Sequence, residues 1–177
     1  RMGQDKALMR LASKTLLECT HELLHECLGS IYVSIKQDQI GDPIRSKFKL
    51  IIDEHGQSGP MAGILSAHKT HPHSAWLVVA CDMPSLDKQT LAQLIKERDS
   101  AFDATAFNSP KDSLPEPLCA IYEPHLLSEV LDNSKLLPSN SPRDLLLQSR
   151  VKIIKTQNPT ALENTNYPRD DLSEIES

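Results

Sequence analysis

Apolar positions recur at helical spacing over residues 8–28 and stop at Gly29, a residue suited to a helix C-terminus, so a helix is expected there. Residues 30–35 switch to a period of two and read as a strand, with polar residues 37–41 after it. Residues 49–53 form a short apolar strand that ends in an acid. Gly59-Pro60-Met61-Ala62-Gly63 opens a helix to about residue 69, and 75–80 is an apolar, buried strand. An amphipathic helix follows over 86–98, with Asp87 as its N-cap. Strands are expected at 103–107 and 117–122, a helix from Glu123-Pro124 through 131, and a helix over 142–148 with proline in its first turn. A late strand at 151–155 and a short helix at 168–175 close the chain. Residues 109–116 and 137–141, rich in Pro, Ser and Asn, are expected to be least ordered.

Strands separated by helices of this length imply an α/β fold, three-layer α/β/α, with a mostly parallel sheet covered on both faces. The 177 residues fit one domain, 1–177, and 39% hydrophobic with 24% charged residues excludes wholesale disorder. A net charge of −5 argues against a general nucleic-acid binder. Neither a signal-peptide pattern nor a run of about 20 apolar residues is present, so no membrane partner and a cytoplasmic location are expected. The first residues, Arg1-Met2-Gly3-Gln4-Asp5-Lys6, are polar and have no strand before them. The domain is therefore expected to be truncated at its N-terminus, with the first strand upstream.

Cysteines and histidines add little chemistry. Cys19, Cys27, Cys81 and Cys119 form no C-x-x-C pair, and reduced thiols are expected. Cys81 and Cys119 read as small core residues. His21-Glu22-Leu23-Leu24-His25 matches H-E-x-x-H, but leucines already account for a buried stripe there and no third ligand accompanies it. His68, His71 and His73 read as a solvated connector.

The chemistry gathers at strand ends. Ser34, Asp53 and Asp82 each lie at or near the carboxyl end of an expected strand, and a parallel sheet brings such ends to one edge, where ligands bind. Asp82 in Cys81-Asp82-Met83-Pro84 is placed to hold a hard cation such as Mg²⁺, which takes oxygen ligands from one or two carboxylates and from phosphates.

The same segments resemble a known family. Arg1-Met2-Gly3-x-Asp5-Lys6 looks like the later half of the signature of nucleotidyltransferases related to molybdenum cofactor guanylyltransferase (MobA-like NTP transferases). Gly59-Pro60-Met61-Ala62-Gly63 is similar to the family's Gly-Pro-Leu-x-Gly segment, and Cys81-Asp82-Met83-Pro84 to its metal-site segment. Pro117-Leu118-Cys119-Ala120-Ile121-Tyr122 is similar to its Pro-Leu-x-Ala-Leu-Tyr strand, and Asn164-Thr165-Asn166-Tyr167-Pro168 to its Asn-x-Asn-x-Pro close. The resemblance implies a Rossmann-like nucleotidyltransferase fold. It also implies that Lys6 contacts the nucleotide and its phosphates, Asp53 the nucleoside, and Asp82 the Mg²⁺. Asn164 and Asn166 are implied on the acceptor side, with Arg1 assisting Lys6. Ser34 stands where guanylyltransferases often carry a nucleotide-contacting Asn; a hydroxyl cannot supply the two-sided pairing of an amide.

The expected function is Mg²⁺-dependent transfer of NMP, GMP first among them, from GTP or another NTP to molybdopterin, with pyrophosphate released. Other proteins of the cofactor pathway are further expected partners. The rivals are a cytidylyltransferase or sugar-phosphate nucleotidyltransferase of the same fold, and a non-catalytic binding module.

Overall fold

Thr15 decides where the first long helix begins. In the computed structural model, which describes residues 5–54, 59–133 and 140–164, the Thr15 hydroxyl accepts from the Glu18 backbone N–H at 3.2 Å. The Glu18 carboxylate accepts from the Thr15 N–H at 2.9 Å, completing a capping box. Helix α1 is therefore Leu16–His25, shorter than the expected 8–28. The residues before it form a 3-10 turn, Lys6–Leu8, and a two-stranded hairpin, β1 (Arg10–Leu11) with β2 (Lys14–Thr15). The apolar spacing there was helical, but the cap fixes the helix start and leaves the upstream leucines to the turn and hairpin.

Downstream, the elements follow the expected order with trimmed ends. Strand β3 (Val33–Ile35) pairs in parallel with β4 (Leu50–Ile52). Helix α2 (Pro60–Thr70) starts at Gly59, whose φ of +80° favours glycine, with Pro60 in the first turn. Strand β5 (Trp76–Val79) leads to α3 (Lys88–Glu97), where the Asp87 carboxylate accepts from the Thr90 N–H at 2.7 Å. Strands β6 (Ala104–Asn108) and β7 (Pro115–Tyr122), helices α4 (Pro124–Asp132) and α5 (Pro142–Gln148), and strand β8 (Val151–Ile154) complete the layers. The 3-10 turn Pro159–Leu162 had no counterpart in the sequence reading. The helix expected at 168–175 lies outside the described residues, as do 137–139 of the second loop.

The main sheet has the order β5-β7-β6-β8. Strand β7 runs antiparallel to both β5 and β6, while β6 and β8 are parallel. The reason is local: residues 109–114, expected to be loose, close a hairpin in which Ser109 N–H donates to the Leu114 carbonyl at 2.8 Å. Residues 115 and 116 already belong to β7.

Two apolar layers cover this sheet. Ala104, Ala106, Ala120 and Tyr122 point to one face and pack with Met61 and Leu65 of α2, Leu127 of α4 and Leu146 of α5. Phe107, Cys119 and Ile121 point to the other and pack with Leu91 and Leu94 of α3 and Leu162. The alternation along β6 and β7 is the period of two that a sheet covered on both faces requires. Each fully buried leucine contributes roughly 1.5–3 kcal/mol. Glu123 is buried with this core and accepts from the exposed Arg98 guanidinium at 2.7 and 2.8 Å in a two-pronged bond. His68 differs from its sequence reading. It lies on α2, is buried, and meets the Ser128 hydroxyl of α4 at 3.0 Å rather than solvent. All four cysteines are free, Cys119 is buried, and Cys81 is only partly covered.

The β3–β4 pair and the four-stranded sheet share no strand pairing among the described residues. Between β3 and β5 lies a cleft of about 900 Å³. At one end the Tyr32 ring, just before β3, meets the Trp76 ring, which opens β5, with centroids 5.7 Å apart. At the other end the residues after both strands are bridged through Gln39, Asp5, Lys6 and Asp82. Strands β3 and β5 therefore run in the same direction along the cleft, and their carboxyl ends share its mouth.

Candidate active site

Asp82 reaches the mouth because β5 ends at Val79 and the chain turns at Cys81-Asp82-Met83-Pro84. Lys6 comes to it from 76 positions away, and its Nζ donates to Asp82 Oδ2 at 2.9 Å. The Asp82 side chain is 17% exposed and the lysine side chain 40%.

The segment that carries Lys6 is anchored by its neighbour. Asp5 caps the 3-10 turn by accepting from the Ala7 N–H at 3.2 Å. Its other oxygen accepts from the Arg45 guanidinium at 2.5 Å and from Gln39 at 3.3 Å. Arg45 is buried and also pairs with Asp42 at 3.3 Å. Asp42 accepts from the Arg45 and Ile44 backbone N–H groups, and these bonds, the one from Arg45 first, hold its carboxyl below the usual range. Arg45, Gln39 and Asp5 line the cleft, yet the sequence reading gave none of them a role. Arg45 sits in a short 3-10 turn after Asp42-Pro43, and a lone arginine in a polar loop carries no periodic signal of burial.

A second pair forms on β3. Ser34 Oγ donates to Asp53 Oδ1 at 2.6 Å, joining the middle of β3 to the residue after β4. Burial pushes the Asp53 carboxyl up, opposed by the Ser34 hydrogen bond and by Lys36. Helix α2 crosses this pair at Gly63. A Cβ there would stand 2.2 Å from Ser34 Oγ, 3.0 Å from Ser34 Cβ and 3.2 Å from Asp53 Oδ1. Glycine at 63 is thus what lets α2 lie directly on the serine–aspartate pair.

Lys6, Ser34 and Asp82 all line the one cleft, with Asp53 joined through Ser34. Asn164 is exposed and is not among the cleft residues; Asn166 and Arg1 lie outside the described residues. Glu116 of β7 does not line the cleft but feels the Asp82 charge. Burial raises its carboxyl, the Leu118 N–H and Arg143 oppose that, and the charges of Asp112 and Asp82 add to it. His21 and His25 hold no metal-like geometry: the His21 ring packs on Phe48 at 4.3 Å. Among the described residues no group of three or more His, Cys, Asp or Glu is arranged around a metal position. No helix among them is long and apolar enough to cross a membrane.

Known proteins resemble this chain over most of its length. The MobA-like NTP transferase domain model matches residues 1–152. The "Molybdenum cofactor biosynthesis bifunctional protein" of Synechocystis is 28% identical over 171 residues, 96% of this chain and 49% of that protein. The chain thus spans about half the length of that relative. The "Probable molybdenum cofactor guanylyltransferase" of Bacillus subtilis is 27% identical over 186 residues, covering 99% of this chain and 88% of that one. The crystal structure of molybdopterin-guanine dinucleotide biosynthesis protein A from Archaeoglobus fulgidus superposes with a TM-score of 0.75 at 26% identity, over 98% of this chain and 89% of that one. With its Rossmann-like α/β layers and a family match over most of its length, the chain belongs to the MobA-like NTP transferase family and is a nucleotidyltransferase domain.

Proposed function

We propose that this domain transfers GMP from GTP to the terminal phosphate of molybdopterin and releases pyrophosphate. The observation that carries this reading is the pairing of Lys6 with Asp82 at 2.9 Å in the same cleft as Ser34–Asp53. A cation and a carboxylate at the mouth suit a polyphosphate, and a hydroxyl and a carboxylate joining β3 to the end of β4 suit a nucleoside. The names of the relatives favour guanine and the molybdenum cofactor.

Asp82 fits a magnesium ion on two counts. Its carboxylate is a hard oxygen donor at a ligand-facing strand end, and it already holds a cation in the form of the Lys6 ammonium. With few other protein donors nearby, the ion would take its remaining ligands from phosphates and water, its usual practice. When bound there, it supplies charge neutralisation at the α-phosphate. In the transfer, an acceptor phosphate oxygen bonds to the α-phosphorus while the bond to the bridging oxygen of the β-phosphate breaks. The acceptor is already ionised, so no general base is needed. Lys6 binds phosphate oxygens, and the Asp5–Arg45 contact fixes the backbone from which it reaches.

A second reading, transfer of CMP, draws support from Ser34. Its hydroxyl already donates to Asp53 and has only lone pairs left for a base, unlike a two-sided amide. Both readings are tested by pyrophosphate release with molybdopterin and each of GTP, CTP, ATP and UTP at matched Mg²⁺. The GMP reading expects GTP to be preferred. Preference for CTP replaces it with the second, and no release with any of the four overturns both. Asp82→Asn should keep the fold and lower transfer by orders of magnitude; near wild-type transfer would sink the metal assignment.

A further inference from the structure

The Arg45 side chain is only 5% exposed. A guanidinium taken out of water needs both countercharge and hydrogen bonds. Asp42 gives part of this locally: its Oδ1 accepts from the Ile44 and Arg45 N–H groups, and its Oδ2 stands 3.3 Å from Arg45 Nη1. The second carboxylate comes from 40 positions away, where Asp5 Oδ2 accepts from Nη2 at 2.5 Å. Arg45 therefore joins two segments. One is the connection 36–49, which continues the strand that carries Ser34. The other is the 3-10 turn Lys6–Leu8. Gln39 makes the same join a second time: its Oε1 accepts from the Lys36 N–H at 2.9 Å and its Nε2 donates to Asp5 Oδ2 at 3.3 Å. Asp5 thus holds the β3 side with one oxygen, while the other caps the turn at the Ala7 N–H. A three-residue 3-10 turn has little stability of its own, so its direction is set by what it is tied to. The clamp also borders the end of β5. Burial first, and then the Asp82 charge, push the Cys81 thiol up to about 11; the Asp5 charge adds to this and Arg45 opposes it.

We propose that Arg45 is a positioning residue for the transfer: through Asp5 it sets where the backbone of Lys6 stands relative to the strand end that carries Ser34 and Asp53. This rests on the phosphate role of Lys6 in the proposed transfer. The guanidinium is directed at two carboxylates of the protein, so it acts through them. Its planar fork serves two carboxylates at once, which the point charge of a lysine cannot copy. Correct placement of a cation counts most when charge moves onto the leaving pyrophosphate, so loss of the clamp should fall on kcat more than on KM.

The test is a double-mutant cycle on pyrophosphate release from GTP with molybdopterin at matched Mg²⁺. Arg45→Lys should lower kcat by about ten- to a hundredfold, the range that a misplacement of about 1 Å produces, with KM for GTP changed far less. Asp5→Asn, at a more exposed position, should do the same and guards against misfolding of the Arg45 variant. In a Lys6→Ala background either change should cost little more, because residues that act as a unit are not additive. Equal factors in both backgrounds would mean a merely structural role and overturn the proposal. A second readout needs no substrate. In the ligand-free full chain, Arg45→Lys should speed deuterium exchange at the Ala7 and Leu8 amides by about tenfold or more, as the turn opens locally, and leave Leu127 of α4 unchanged. Unchanged exchange at Ala7 overturns the clamp, whatever the acceptor or nucleotide. If exchange speeds up as expected but Lys6→Ala transfers as wild type does, the clamp stands as structure, the positioning proposal falls, and the phosphate role of Lys6 is wrong.

Discussion

At the scale of single residues, Gly63 sets the tolerance of the site. Its Cα faces the Ser34–Asp53 pair so closely that a methyl group would enter the Ser34 hydroxyl. Gly63→Ala should destabilise the fold by about 1–3 kcal/mol, the usual cost of overpacking, and should weaken nucleotide binding by parting Ser34 from Asp53. Removing the hydroxyl in Ser34→Ala relieves the 2.2 Å contact but leaves the Cβ at 3.0 Å. The double variant should therefore lose less stability than the two single losses together, measured by urea denaturation in a double-mutant cycle. Strictly additive losses would mean that α2 shifts as a whole to absorb the methyl. Sequence alone placed Gly63 in a glycine-bearing turn and helix start. It could not show which side chain lay beneath, because that contact joins α2 to a strand 29 positions earlier.

At the scale of elements, the capping box of α1 carries a pH signature. The Thr15 backbone N–H, then Lys47, then the Thr15 hydroxyl hold the Glu18 carboxyl down at about 2, from an ordinary 4.5. A depressed acid stabilises the fold fully above the unfolded value. That contribution is lost as pH falls from 4.5 toward 2. Thermal melts between those limits should show Glu18→Gln with a shallower acid loss than wild type, and the two curves should run parallel at neutral pH. Equal slopes in acid would remove Glu18 from the account. The box also shows why the first helix was the least legible element. Leucine spacing at 8–28 mimics a single helix, and the Thr15-x-x-Glu18 signal inside it marks the true start. By contrast β5, α2 and α3 were legible to within a few residues. Each has a dense apolar pattern and an end signal of its own: Gly59-Pro60 for α2, Asp87 for α3, and the turn at Asp82 for β5. The antiparallel turn of β7 was not legible. Apolar β7 reads alike in either direction, and its orientation is set by a six-residue connection, 109–114, in which only Pro110 and Leu114 are apolar.

At the scale of the whole molecule, the cleft divides the β-structure. In the β5–β7 pair, Ala80 N–H donates to the Leu118 carbonyl, so residues 76, 78 and 80 exchange bonds with β7. The amides of Leu77 and Val79 therefore point the other way, toward the cleft. They should exchange with deuterium much faster than those of Trp76 and Val78, and Ala106 in the middle of the sheet should be slowest of all. Equal protection across residues 76–79 would show that something in solution covers that edge.

The divided sheet has a mechanical meaning. The two strand groups act as leaves held by α2 along their length and by contacts at each end, Tyr32 with Trp76 and Lys6 with Asp82. Stiffness across the gap therefore depends on side chains, which are far more compliant than a ladder of backbone bonds. A ligand that spans Lys6 and Ser34 would act as a splint between the leaves. Its stabilisation would follow RT ln(1 + [L]/Kd) and appear as quieter motion in β3 and β5, with little change in β8 at the opposite edge of the sheet.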